Sequence, residues 1–385
     1  MKELKIDAEP SYEYTMLSSP KRNLSNLPMN AIVATIFFGC GMILGWVSSG
    51  IDQTPVDFTG ARAHFRYGLD RSDTLGNNDA MPKLAWLLSF PNSGTSYTGE
   101  LVRAVTGFNT ATNYGESNLL NDGTSELVYT SAFGAAGPFW TDPKINRHKP
   151  TNGYILTKTH CGSRCDVCGV DGYVENEHLF LQHCLETSYI SKSSTGDLVK
   201  SVGTYDKELV ARAVHLIRDP FDNIVSRFHL RHNRFTKLND TESLERYPKT
   251  SDGFRAFCND LSELHAQEEE TSKFYHDVID SIRNVPCHAD FFRYIQWHNL
   301  AFVTTWDLQI PTLVVHYENF TTNFDETKGM LIEFLGQEAI YEPPTFVAGK
   351  TYRDYFSDEE IDGIAQMFEM LAMEKTWHYT RHYFE

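Results

Sequence analysis

The chain has 385 residues, which suits one large domain with appendages or two modest domains. Hydrophobic residues make up 41% and charged residues 22%, ordinary globular usage that supplies a core of useful size. The formal net charge of −17 excludes nucleic-acid binding through the whole surface, but not a local basic pocket for a small anion.

Residues 1–28 are polar and read as a cytosolic tail. Residues 29–49 read as a membrane anchor. Their core, Ala31 to Val47, carries no charge and approaches the ~20 residues that span a bilayer. Lys21 and Arg22 precede the run, Asp52 and Asp57 follow it, and the next cation is Arg62. The positive-inside rule then puts the bulk of the chain in a lumen. A cleaved signal peptide fits less well, because the polar stretch before the run is long and the apolar core exceeds a usual h-region. Residues 50–82 read as a stem, and residues 83–385 as the globular domain.

Seven cysteines are present. Cys40 lies in the apolar run. The other six are Cys161, Cys165, Cys168, Cys184, Cys258 and Cys287, an even set that suggests disulfides in an oxidising compartment. A zinc site from Cys161, Cys165 and Cys168 with Cys184 or His183 is the alternative. The spacing does not fix the pairing.

Four short apolar runs predict buried parallel strands: Leu84–Phe90, Tyr154–Lys158, Ala213–Ile217 and Thr312–His316. Each opens into a polar turn, and the first, third and fourth lead into helical patterns. This predicts an α/β domain with a mainly parallel central sheet, whose ligands bind beyond the carboxyl ends of the strands. The polar stretch from about Leu238 to Asn284 reads as a helical insertion or lid. Ser357 is placed to cap a further helix.

The first strand runs into Pro91, Asn92, Ser93, Gly94, Thr95, Ser96 and Tyr97, then a helix. A tight Gly-containing loop at a helix N-terminus favours an anion, through unpaired N–H groups and the helix dipole. Ser93, Thr95 and Ser96 add hydroxyls. An ordinary strand–helix turn is the bland alternative. The lysine of a Walker A loop is missing, which counts against a P-loop kinase. The third strand ends in Arg218-Asp219-Pro220, and Ser226 follows Arg218 by eight positions. Two turns of helix let these side chains converge on one small anion. Arginine suits multidentate phosphate binding.

These motifs resemble those of the sulfotransferases that use 3′-phosphoadenosine 5′-phosphosulfate (PAPS). Asn92–Tyr97 is similar to the family's 5′-phosphosulfate loop, although Asn92 stands where Lys or Arg is common. Tyr97 stands where the family often has an adenine-stacking Trp. Arg218 with Ser226 matches the 3′-phosphate motif. Lys158-Thr159-His160 resembles a run in which the histidine is the general base and the lysine approaches the sulfate. By that resemblance His160 takes the acceptor's proton, and Lys158 partly stands in for the cation missing at Asn92. Gly349–Phe356 is loosely similar to the late cofactor loop, with Lys350 and Arg353 as candidates. Thr312–Phe320 resembles the family strand that ends in a Tyr-Glu pair.

The resemblance implies a P-loop-like three-layer domain preceded by one transmembrane helix. It implies sulfuryl transfer from PAPS to an acceptor hydroxyl, with PAP as the leaving product and no metal required. A carbohydrate acceptor and a single-pass type II placement in the Golgi membrane follow from the anchored members. Sequons at Asn239 and Asn319 would face the lumen. The basic stretch Arg227, His229, Arg231, His232, Arg234 and Lys237 reads as an anionic-acceptor surface or a solvated helix face. A non-catalytic lumenal protein with a degenerate fold is the rival, and Asn92 is its best argument.

Overall fold

The apolar run at Leu84 forms the centre of a sheet buried on both sides. The computed structural model describes residues 83–114, 125–128, 148–150, 153–162, 173–192, 198–270, 276–349 and 351–385. The expected tail, anchor and stem lie outside these residues, as do Cys165, Cys168 and Lys350. Among the described residues no helix is long and apolar enough to cross a membrane.

The strands are β1 (Lys83–Ser89), β2 (Thr110–Thr112), β3 (Ser125–Leu127), β4 (Tyr154–Thr159), β5 (Glu186–Lys192), β6 (Leu198–Thr204), β7 (Val210–Ile217) and β8 (Thr312–His316). Six of them form one sheet in the order β3-β2-β4-β1-β7-β8. Every pairing in it is parallel. The four expected strands are therefore present and share the sheet. β5 and β6 form a separate antiparallel pair that the apolar pattern did not signal. Its first strand, ETSYISK, is mostly polar.

Successive side chains of a strand point to opposite faces. Leu84, Trp86 and Leu88 enter one core, while Ala85 and Leu87 enter the other. This is why β1 reads as a continuous apolar run rather than an alternating one. Each fully buried large side chain contributes about 1.5–3 kcal/mol.

The helices are α1 (Thr95–Thr106), α2 (Glu177–Leu185), α3 (Pro220–Leu238), α4 (Thr241–Arg246), α5 (Ser251–Glu268), α6 (His276–Ile282), α7 (His288–Asp307), α8 (Asn319–Thr322), α9 (Phe324–Phe334), α10 (Asp358–Leu371) and α11 (Glu374–Thr380). The core around Leu88 takes Phe221, Ile224 and Phe228 of α3 with Phe291, Tyr294 and Trp297 of α7. The opposite core takes Leu101, Val102 and Val105 of α1 with Leu331 and Ile332 of α9. Helices thus cover both faces of the sheet, as three layers require. Ser357 caps α10 in a reciprocal capping box with Glu360.

The stretch expected to be an insertion or lid is tied into the domain. Phe254 and Cys258 of α5 are buried, and Cys258 is bonded to Cys287 just before α7. A second disulfide joins Cys161 to Cys184. It removes both thiols from the ligand set that a zinc site would need. No group of three metal-ligating side chains occurs among the described residues.

The order of the strands locates the ligand site. From β1 the chain moves to β2, β3 and β4 on one side, then crosses to β7 and β8 on the other. The direction reverses between β1 and β7, and such switch points open a crevice beyond the strand ends. The Asn92–Tyr97 loop and the Arg218 turn both lie there.

Candidate functional site

The loop after β1 turns tightly because two residues take left-handed backbone angles, Asn92 at φ 68° and Gly94 at φ 93°. Asparagine is among the few side chains that accept this region. Gly94 is required twice over, since a Cβ there would overlap the Tyr317 ring. Gly94 is also the N-cap of α1, and no side chain caps that terminus. Its first N–H groups are therefore open to an anion.

The loop's hydroxyls are not equivalent. Ser93 is fully buried, and its Oγ accepts a hydrogen bond from Asn223 Nδ2 at 3.0 Å. The same amide donates to the Pro91 carbonyl at 3.0 Å. Thr95 is buried beside Ser89, with their hydroxyls 2.6 Å apart. Ser96 is exposed at the helix start. Tyr97 packs edge-on against Phe320 and Phe346. Burial and the neighbouring Glu100 push its phenol up to about 12.

Arg218 follows β7 directly and reaches into this loop. Its Nη1 donates to the Asn92 carbonyl at 2.8 Å, and its guanidinium lies 5.0 Å from the Tyr317 ring centre. Its own carbonyl accepts from Tyr294 Oη at 2.6 Å. The Arg218 Nε is buried and makes no hydrogen bond. A buried cationic donor left unpaired is costly, and an anion beside it removes that cost. Arg218 and the uncapped terminus of α1 thus fit a polyanionic ligand.

Asp219 caps α3, accepting from the N–H groups of Phe221 and Asp222. Burial, with the Asp222 charge beside it, pushes its carboxyl up to about 7. Ser226 lies on α3, half-buried between buried Val225 and Arg227. Arg227 is not part of an acceptor surface. It pairs with buried Asp290 at 3.3 Å and covers the Phe90 ring at 4.8 Å.

His160 sits just beyond β4 and is buried. Its Nδ1 lies 2.7 Å from the Ser89 carbonyl, which can only accept. The proton is therefore on Nδ1 in the neutral ring, and the basic lone pair is on Nε2. Its backbone is held as well: the N–H donates to Tyr114 Oη at 2.6 Å, and the carbonyl accepts from Trp297 Nε1 at 2.8 Å. The Tyr114 ring stacks against it at 5.6 Å. Lys158 is half-buried two residues earlier, in register with Leu87 of β1.

The late segment meets the same place. A Cβ on Gly349 would lie 3.3 Å from Arg218 Nη2, and Tyr352 N–H donates to Asp222 Oδ1 at 2.6 Å. Burial raises the Asp222 carboxyl. Lys350 lies outside the described residues. Arg353 instead donates from Nη1 to the Tyr383 carbonyl at 2.6 Å and covers the Phe221 ring at 5.0 Å.

Asn223, Tyr114 and Trp297 were not expected at the site, and Tyr317 was expected only as half of the Tyr-Glu pair after the fourth strand. Asn223 and Trp297 act across more than a hundred positions of chain, and Tyr114 follows a short strand that no motif marks. Asn223 lies inside the Arg218–Ser226 motif, but its burial and its reach to Ser93 appear only in the fold.

Comparison with curated proteins finds no match. The family described as the sulfotransferase domain matches residues 82–382, which is most of the chain and includes every site residue placed above. The chain therefore belongs to the sulfotransferase-domain family and is a transferase.

Proposed function

We propose that the domain moves a sulfuryl group from PAPS to an acceptor hydroxyl, with a carbohydrate as the acceptor class. The observation that carries this reading is the contact of Arg218 Nη1 with the Asn92 carbonyl. It joins the two phosphate motifs at the switch point of the sheet, one for each phosphate end of such a donor.

Bound there, PAPS supplies an activated sulfuryl group on a phosphate that departs as PAP. The N–H groups of α1 with Thr95 and Ser96 would hold the 5′-phosphosulfate end. Arg218 with Ser226 would hold the 3′-phosphate, and Tyr97, Tyr317 and the late loop would border the nucleoside. Asn92 brings no cation of its own, but its carbonyl draws the Arg218 guanidinium into the loop. Lys158 would partly supply the positive charge that stabilises the departing 5′-phosphate.

His160 Nε2 takes the proton of the acceptor hydroxyl as that oxygen attacks sulfur. The Ser89 carbonyl holds Nδ1–H and stabilises the imidazolium that forms. Such a base supplies about 10²–10⁴-fold in rate. No step requires a metal.

A lumenal, membrane-anchored placement, with the Golgi as compartment, belongs to the same proposal. It is supported by the two disulfides and by the uncharged run from Ala31 to Val47. A competition of PAP against ATP tests the cofactor class. The expected result is binding of PAP with ATP at least tenfold weaker. Equal or preferential binding of ATP would favour a nucleotide kinase.

A further inference from the structure

We propose that Tyr383 is a positioning residue for the 3′-phosphate group of the donor, acting through Glu318 on the Arg218–Asp219 turn. This rests on the PAPS reading above. Tyr383 follows α11 in a final 3₁₀ turn and is buried.

A run of hydrogen bonds centred on the Glu318 carboxylate makes the connection. Tyr383 Oη donates to Glu318 Oε2 at 2.7 Å. The other carboxylate oxygen, Oε1, accepts from the Asp219 N–H at 2.9 Å. The Tyr383 proton is thereby committed, so its oxygen accepts from His316 Nδ1 at 2.9 Å. His316 is kept neutral by burial, which lowers it to about 4. The donors converge on the Glu318 carboxylate, from His316 and Tyr383 on one side and from the Asp219 N–H on the other, one residue beyond Arg218.

Tyr383 also holds the late segment. Its carbonyl accepts from Arg353 Nη1 at 2.6 Å. Arg353 is adjacent to Tyr352, whose N–H bonds Asp222 in the first turn of α3. Both chain segments that border Arg218 are thus tied to one residue, by its hydroxyl on one side and its carbonyl on the other.

The neighbouring Phe384 supplies the contrast. It packs on Phe221, Phe368 and Trp377 with centroids at 5.5, 4.9 and 5.8 Å, and it makes no contact through the hydroxyl run. If the final turn acted through packing alone, Phe384 would matter more than the Tyr383 hydroxyl.

The test is PAP titration and thermal melting of the detergent-solubilised full chain, as wild type, Tyr383→Phe and Phe384→Leu. Losing a hydrogen bond to a charged group corresponds to about tenfold or more in affinity. Tyr383→Phe is expected to weaken PAP about tenfold while lowering Tm less than Phe384→Leu does. Phe384→Leu is expected to leave PAP affinity near wild type. Unchanged PAP affinity in Tyr383→Phe overturns the inference, and so does equal weakening in both variants. Should Phe384→Leu not fold, weakened PAP binding with little change of Tm in Tyr383→Phe supports it, and parallel losses overturn it. A wild-type chain that binds no PAP overturns the functional reading and this inference together.

Discussion

His160 Nδ1 points its hydrogen at the Ser89 carbonyl, 2.7 Å away, and this contact spans the ends of two neighbouring strands of the sheet. The proposed base is therefore oriented by backbone rather than by a carboxylate. His160→Asn retains a donor for the Ser89 carbonyl and lacks the base. It is expected to bind PAP as wild type does and to lose about 10²–10⁴-fold in kcat. Retained turnover in this variant would remove His160 from its role.

Arg218 combines an ordered hydrogen bond to Asn92 with an unpaired Nε, and lysine reproduces neither. Arg218→Lys is expected to weaken PAP binding by about 10- to 100-fold, the range for losing charged hydrogen bonds. Calorimetric titration checks this, and an affinity within threefold of wild type would contradict it.

Gly94→Ala places a Cβ against the Tyr317 ring at a left-handed backbone position. The backbone cost alone is about 1–2 kcal/mol. The variant is expected to melt several degrees lower and to bind PAP weakly, because the loop must open to fit the methyl group. A melting curve and a PAP titration that both match wild type would show that the loop does not hold the ligand in this conformation.

The bond between Cys161 and Cys184 closes a segment with a sequence separation of 23 residues, directly after the base. Replacing both cysteines with alanine is expected to cost about 3 kcal/mol by the chain-entropy relation. Turnover should fall with PAP affinity retained, since the bond restrains His160 rather than the phosphate loop. Urea unfolding and PAP titration measure the two effects separately.

Stability should fall as pH drops below about 6.5. His215 and His298 are fully buried and bonded to each other at 2.7 Å. Burial lowers His215 to about 3 and holds His298 well below its ordinary value. In the unfolded chain both protonate near pH 6.5. The unfolded state then binds more protons, so stability is full above that pH and is lost progressively below it. Asp219 opposes this, because its folded value near 7 lies above its unfolded value near 4. Its contribution is present at low pH and is lost as pH rises toward 7. Asp219→Asn removes the opposing term, so its Tm should fall more steeply than that of wild type between pH 7 and 5. A parallel decline would contradict this assignment.

Much of the scaffold was legible because its strands are buried on both faces, which writes them as apolar runs. Arg218 and the Asn92–Tyr97 loop were legible because strand, loop and helix are contiguous there. What holds those residues was not. The Ser89 carbonyl has no sequence signal, since any residue supplies it. Trp297 and Tyr294 reach the site from α7, which carries no motif. Glu318 stood only as half of a Tyr-Glu pair, and its link to Asp219 appears only when β8 lies beside β7. Arg353 was expected at the cofactor by position in a loose motif. Its contact with the Tyr383 carbonyl depends on the path of a turn some thirty residues later.

The central claim is tested most directly by labelled-sulfate transfer from PAPS by the full chain. Wild type and His160→Asn are compared on a panel of glycans, tyrosine peptides and lipids, with PAP release measured alongside. The expected result is label on a carbohydrate hydroxyl and one PAP released for each sulfate transferred, both lost in the variant. No transfer to any acceptor, together with no binding of PAP, would contradict it.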